Sequence, residues 1–148
     1  MTKFSSEYSA NIEVSKLCVG CMSFGKAGTM HDWTLDEKQT DEMVAHALDL
    51  GINFFDTADV YSDGESERML GLALAQYRHD AIISTKVSIR STEQVNDLGF
   101  SRNYLIHAVE NSLKRLKTDY IDVLQLHQFD SFTSLEQLMK TLDELVRS

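Results

Sequence analysis

The chain has 148 residues, 43% of them hydrophobic and 25% charged, with a net charge of −9. That profile fits one globular domain, and its acidic balance argues against a nucleic-acid binder, which needs a basic face. No apolar run approaches the roughly 20 residues of a membrane helix, and the polar start from Met1 to Asn11 has no apolar signal-peptide core, so the expected setting is cytoplasmic.

Leu17 to Gly20 reads as a short strand, followed by a loop flanked by Gly20 and Gly25. Cys18 and Cys21 are the two cysteines of the chain, at the C-x-x-C spacing of redox and zinc motifs. No second ligand pair accompanies them and the segment does not open a helix, so neither role is expected. His31, Asp32 and Trp33 fall in the first long loop, which reads as ordinary surface or as one wall of a substrate pocket.

Lys38 to Leu50 has Met43, Val44, Ala47 and Leu48 at helical spacing. Ile52 to Phe55 is a compact apolar run suited to a buried strand. Ser66 to Gln76 is helical through Met69, Leu70, Ala73 and Leu74, and Ala81 to Thr85 is the next strand. Ser101 is a good N-cap for a helix whose Leu105, Ile106, Val109, Leu113 and Leu116 share one face. Lys114, Arg115 and Lys117 read as solvated cations at its C-terminal end, where they complement the helix dipole. Tyr120 to Leu126 is the fourth strand. Ser134 and Gln137 resemble a capping box, and Leu135, Leu138, Met139, Leu142 and Leu145 are expected to form the buried stripe of a last helix.

The order is β-α repeated, which implies parallel strands with right-handed crossovers. An open doubly wound sheet and a (β/α)8 barrel both satisfy it. Length alone favours the open sheet, since a barrel takes about 250 residues.

The chemistry sits where the strands end. Asp56 follows the second strand, with Tyr61 shortly after it; Lys86 follows the third and His127 the fourth. Parallel α/β folds bind ligands at that end. Singly, each residue has an ordinary reading: a loop-capping carboxylate, a half-buried tyrosine, a surface lysine, a hydrogen-bonded histidine. Together, at consecutive strand ends, they point to one site. No G-x-G-x-x-G follows the first strand and no phosphate-loop motif occurs, which argues against a Rossmann site but leaves open a nicotinamide bound by another fold.

Four segments resemble the aldo-keto reductase superfamily: LCVGCMSFG (17–25), GINFFDTADVYSDGESERMLG (51–71), STKV (84–87) and SRNYLIHAVENSLKRLKTDYIDVLQLHQFD (101–130). The resemblance implies an α/β fold made of about the first four of eight (β/α) units of a TIM barrel, a half barrel. It implies that 1–148 is one NAD(P)-dependent oxidoreductase domain, truncated at its C-terminal side, because the strands that stack the nicotinamide and grip the pyrophosphate come later in the family. It implies reduction of an aldehyde or ketone by hydride from NADPH, or NADH. Tyr61 is then the general acid, Lys86 stabilises its phenolate, Asp56 pairs with Lys86, and an uncharged His127 orients the carbonyl oxygen. Cys21, Met22 and Asp56 are the implied cofactor contacts.

A half barrel leaves sheet edges and inner-face apolar surface, from parts of Ile52–Phe55 and Tyr120–Leu126, uncovered. Three readings stay open: an inactive fragment, a homodimer that completes the barrel, or pairing with a chain carrying the second half. A non-enzymatic protein-binding relative is the rival class.

Overall fold

The computed structural model describes residues 2–4, 12–26, 28, 31–89 and 99–148. Most of the polar start therefore lies outside the described residues. β1 (Thr2–Phe4) pairs antiparallel with β2 (Ile12–Val14). The sequence reading missed this pairing, because three-residue strands carry too little alternation to be seen.

The remaining strands are β3 (Cys18–Gly20), β4 (Phe54–Asp56), β5 (Ile82–Val87) and β6 (Val123–Leu126). They pair in parallel, in chain order, as one four-stranded sheet. Helices α1 (Glu37–Asp49), α2 (Glu65–Ala73) and α3 (Arg102–Leu116) connect them, and α4 (Leu135–Arg147) follows β6. Parallel neighbours need a long crossover, and each helix supplies one. Adjacent-strand order with a helix after every strand is the arrangement of successive barrel units rather than of a doubly wound sheet, whose strand order reverses midway.

Local signals set the helix starts. Ser101 accepts a hydrogen bond from the Tyr104 amide, and Ser134 from the Gln137 amide at 3.3 Å. The full reciprocal box lies elsewhere: Asp36 accepts from the Gln39 amide, and the Asp36 amide donates to the Gln39 side chain. The last strand begins at Val123, three residues later than its apolar run, because the Tyr120 carbonyl accepts from Arg78 instead of joining the ladder.

Register sorts the two faces of the sheet. Val19, Phe55 and Ile83 share the outer face and pack with Val44 and Ala47 of α1, Leu70 of α2 and Leu116 of α3. Val87, Phe100 and Leu105 centre a second cluster, against which Leu124, Leu126, Leu138 and Leu145 rest. Gly20, Asp56 and Ser84 are register partners on the other face, as are Lys86 and Gln125.

Two sequence expectations need correction. Arg115 is not a solvated cation: its Nε lies 2.6 Å from a carboxylate oxygen of Glu67, whose side chain is fully buried. The proposed stripe of α4 is only partly buried: Leu138, Leu142 and Leu145 are half-buried, Leu135 is 73% and Met139 56% exposed, and Thr141 is the one fully enclosed residue of that helix. The inner sheet face keeps part of its apolar surface uncovered, with Phe54, Ile82 and Val123 half-buried beside Asp56, Ser84, Lys86 and Gln125, and Phe129, Phe132, Leu135 and Val146 add exposed apolar surface elsewhere. No helix among the described residues is long and apolar enough to cross a membrane.

Candidate active site

The site lies at the C-terminal ends of β4, β5 and β6. Asp56 closes β4 and Lys86 is the penultimate residue of β5. Strand alternation points both to the inner face, and the register places them one strand apart. The Lys86 ammonium donates to Asp56 Oδ2, to the Thr57 carbonyl at 2.9 Å and to the Tyr61 hydroxyl at 3.4 Å. Three acceptors match the three protons of an ammonium.

Tyr61 arrives from a tight turn. Ser62 and Asp63 have φ of +49° and +55°, and Gly64 follows at +90°. Two consecutive non-glycine residues in the left-handed region carry strain of about 1–3 kcal/mol each, so the turn must be held from outside. Below it, Arg115 fills the space where a Gly64 Cβ would stand, at 2.7 Å. Above it, a Cβ on Gly25 would fall 1.9 Å from Ser62 Oγ. Glycine at 25 is therefore what lets the first loop close over the tyrosine turn.

His127 follows β6, and its amide donates to the Val87 carbonyl at 2.9 Å. Its ring meets the Tyr61 ring edge-on, with centroids 5.9 Å apart. The structure thus brings Asp56, Tyr61, Lys86 and His127 together. Their arrangement puts a phenol between an ammonium and an imidazole, on a rim open to solvent.

Sequence reasoning missed three neighbours. Gln125 Nε2 donates to Asp56 Oδ1 at 3.1 Å and to Ser84 Oγ at 2.6 Å, holding the carboxylate from the side opposite Lys86. Ser88 Oγ lies 2.8 Å from His127 Nδ1, and buried Asp59 receives the Ser88 amide at 3.1 Å. The period of two along a strand was the available signal: Gln125 is two residues before His127, and Ser88 two after Lys86.

The residues implied as cofactor contacts divide. Asp56 is partly exposed at 29% of its side chain. Met22 is half-exposed, whereas the Cys21 side chain is sealed in the core and its carbonyl accepts from Ser66 Oγ at 2.6 Å. Both cysteines are free thiols. Burial pushes the Cys21 thiol up, with further push from Cys18 and Asp56. Burial also raises Cys18, and Asp56 adds to the rise while Lys86 opposes it. His31 and Trp33 stack, with centroids 4.4 Å apart, forming an exposed aromatic step in the first loop.

Known proteins share this architecture. A versiconal hemiacetal acetate reductase from Aspergillus parasiticus is 35% identical over 159 residues, covering 94% of this chain and 46% of that protein. The aldo-keto reductase AMT2 of Alternaria alternata is 38% identical over 160 residues, covering 90% and 43%. The holo form of aldo-keto reductase AKR11C1 from Bacillus halodurans superimposes with a TM-score of 0.78 at 36% identity, covering 99% of this chain and 47% of that one. The chain spans about half the length of the relatives it matches. Residues 16–148 match the family Aldo/keto reductase, and with the four-stranded parallel sheet and the strand-end cluster already described, the chain belongs to that family.

Proposed function

We propose that Asp56, Tyr61, Lys86 and His127 form the proton-donating part of a carbonyl reductase site that works with NADPH, or with NADH as the alternative nucleotide. The observation that carries this reading is the Lys86 ammonium, which touches Asp56, the Thr57 carbonyl and the Tyr61 hydroxyl at once. A free phenol, of pKa about 10, is a poor match to neutral pH, and a fixed ammonium beside it stabilises the phenolate it leaves behind. Tyr61 then gives its proton to the oxygen of an aldehyde or ketone as that oxygen becomes an alkoxide. Asp56 fixes the ammonium, and His127 donates to the same carbonyl oxygen.

A bound reduced nicotinamide supplies the hydride. The inner rim fits such a ring: a Cβ built on Gly20 meets nothing within 4 Å, and Gly20 is the register partner of Asp56. Met22, Asp56 and the backbone at Cys21 are the residues of this chain proposed to lie against it. A cytoplasmic setting goes with nicotinamide-dependent reduction and with two unpaired cysteines.

A second reading has its own observation. Among the described residues no further strand pairs with β3 or β6, and with the exposed apolar residues of α4 this leaves a surface that a covering half, from a second copy or a separate chain, would fill. Alone, the chain is then an inactive half barrel. Titrating the purified chain with NADPH, by nucleotide fluorescence with mass measured in the same sample, separates the two. Saturable binding by a defined assembly, followed by carbonyl turnover that Tyr61→Phe removes while sparing nucleotide binding, supports the reductase. Absence of binding at millimolar nucleotide makes the isolated chain no working reductase, and full turnover in Tyr61→Phe removes the general-acid assignment.

A further inference from the structure

The proposed chemistry requires His127 to offer a proton, not a lone pair, to the carbonyl oxygen. A neutral imidazole carries one proton on either Nδ1 or Nε2, and the partner of one nitrogen decides what the other presents. That partner is Ser88.

Ser88 follows β5 directly and is 3% exposed. Its backbone is fixed on both sides. The amide donates to the two carboxylate oxygens of Asp59, at 3.1 and 3.2 Å, and the carbonyl accepts the Tyr104 hydroxyl. Its hydroxyl lies 2.8 Å from His127 Nδ1, the partner it finds among the described residues.

A serine hydroxyl holds one proton to donate. Were Nδ1 protonated, the hydroxyl would have to accept, and its own O–H would sit buried without an acceptor among the described residues. Buried donors are overwhelmingly paired, because leaving one unmade forfeits its hydration with nothing in return. Pairing therefore favours a hydroxyl that donates to Nδ1, with the ring proton on Nε2.

We propose that Ser88 is a positioning residue that holds His127 in its Nε2–H tautomer, so that the imidazole faces the carbonyl oxygen as a donor. The inference rests on the reading of His127 as that donor. Asp59 and Tyr104 are part of the device: by bracing both ends of the Ser88 peptide they keep the hydroxyl at one distance from the ring. The Tyr61 ring does not compete for Nδ1, since it meets His127 edge-on at 5.9 Å.

The test is nitrogen NMR on the full chain labelled with 15N-histidine, without nucleotide, at a pH well above the ordinary imidazole range. His127→Phe identifies the signals. The wild type is expected to show a protonated Nε2 and a lone-pair Nδ1 at His127. Ser88→Ala is expected to lower the Nε2–H to Nδ1–H ratio several-fold, and Ser88→Thr, which keeps the hydroxyl, to preserve it. An Nδ1–H tautomer in the wild type overturns the proposal, as does an unchanged ratio in Ser88→Ala. A purely structural serine would alter stability without moving the tautomer. The reductase reading fails by a different sign, full carbonyl turnover in Tyr61→Phe, and that result leaves the tautomer measurement intact.

Discussion

Helices α2 and α4 are both amphipathic, and both follow a strand that feeds the site. They end in different circumstances. Around α2 one face is enclosed: Ser66, Glu67, Met69, Leu70 and Gly71 are buried, and α3 crosses so closely that a Cβ on Gly71 would lie 2.3 Å from the Leu116 carbonyl oxygen. Around α4, Leu138 and Leu145 rest on the second apolar cluster and Arg102 reaches Glu144 at 2.8 Å, while Leu135, Met139 and Val146 face outward. The lesson is that an apolar stripe records what a helix is able to bury. Whether it does so depends on the neighbour that arrives to cover it.

The α2 side admits a charge because the charge is fully paired. Glu67 takes one hydrogen bond from Thr85 Oγ1 and one from Arg115 Nε, both at 2.6 Å. Arg115 also reaches Ser112 Oγ at 3.1 Å and fills the space under Gly64. This network links α2, β5 and α3 beneath the turn that presents Tyr61.

The contrast can be broken most strongly at Glu67. Glu67→Ala strands Arg115 without its carboxylate and opens the support of the tyrosine turn. A loss of about 3 kcal/mol is expected from such a half-removed buried pair, read by urea denaturation, and an unchanged midpoint would mean that the network carries no stability. Gly71→Ala comes next. Helix propensity favours alanine by about 1 kcal/mol, but the new Cβ meets backbone rather than a flexible side chain. A net loss of about 1–2 kcal/mol follows from overpacking; stabilisation would show that α2 and α3 separate readily.

The smallest effect belongs to α4. The double change Leu135→Gln and Met139→Gln is expected to move the stability of the isolated chain by about 0.5 kcal/mol or less, as exposed positions do. The same pair should reduce self-association seen by sedimentation, if that face is where chains meet. A large drop in monomer stability would show that the stripe is covered after all.

Much of the candidate site is legible in the sequence. Asp56, Lys86 and His127 could be placed from strand ends, and Tyr61 from its spacing after Asp56, since parallel βα alternation forces those ends to one side. The Ser101 cap was equally plain, because a cap is a contact between residues three apart in sequence. Arg115 was misjudged for the complementary reason. Its position at a helix end predicts solvent, and its partner Glu67 lies 48 residues away. The resemblance implied a cofactor contact at Cys21, yet its side chain turns into the core, while Met22 beside it is exposed.

From the sequence alone came the βα alternation from β3 to α4, its parallel pairing and the residue types delivered to the C-terminal rim. Those follow from periodicity and from local bonding, which act over a few residues. Only the tertiary structure decided that Gln125 and Lys86 hold Asp56 between them, that Ser88 meets Nδ1 of His127, and that Glu67 and Arg115 neutralise each other under the tyrosine turn. Those are encounters between strands and helices distant in the chain, set by register and close packing, and no local pattern encodes which partner arrives.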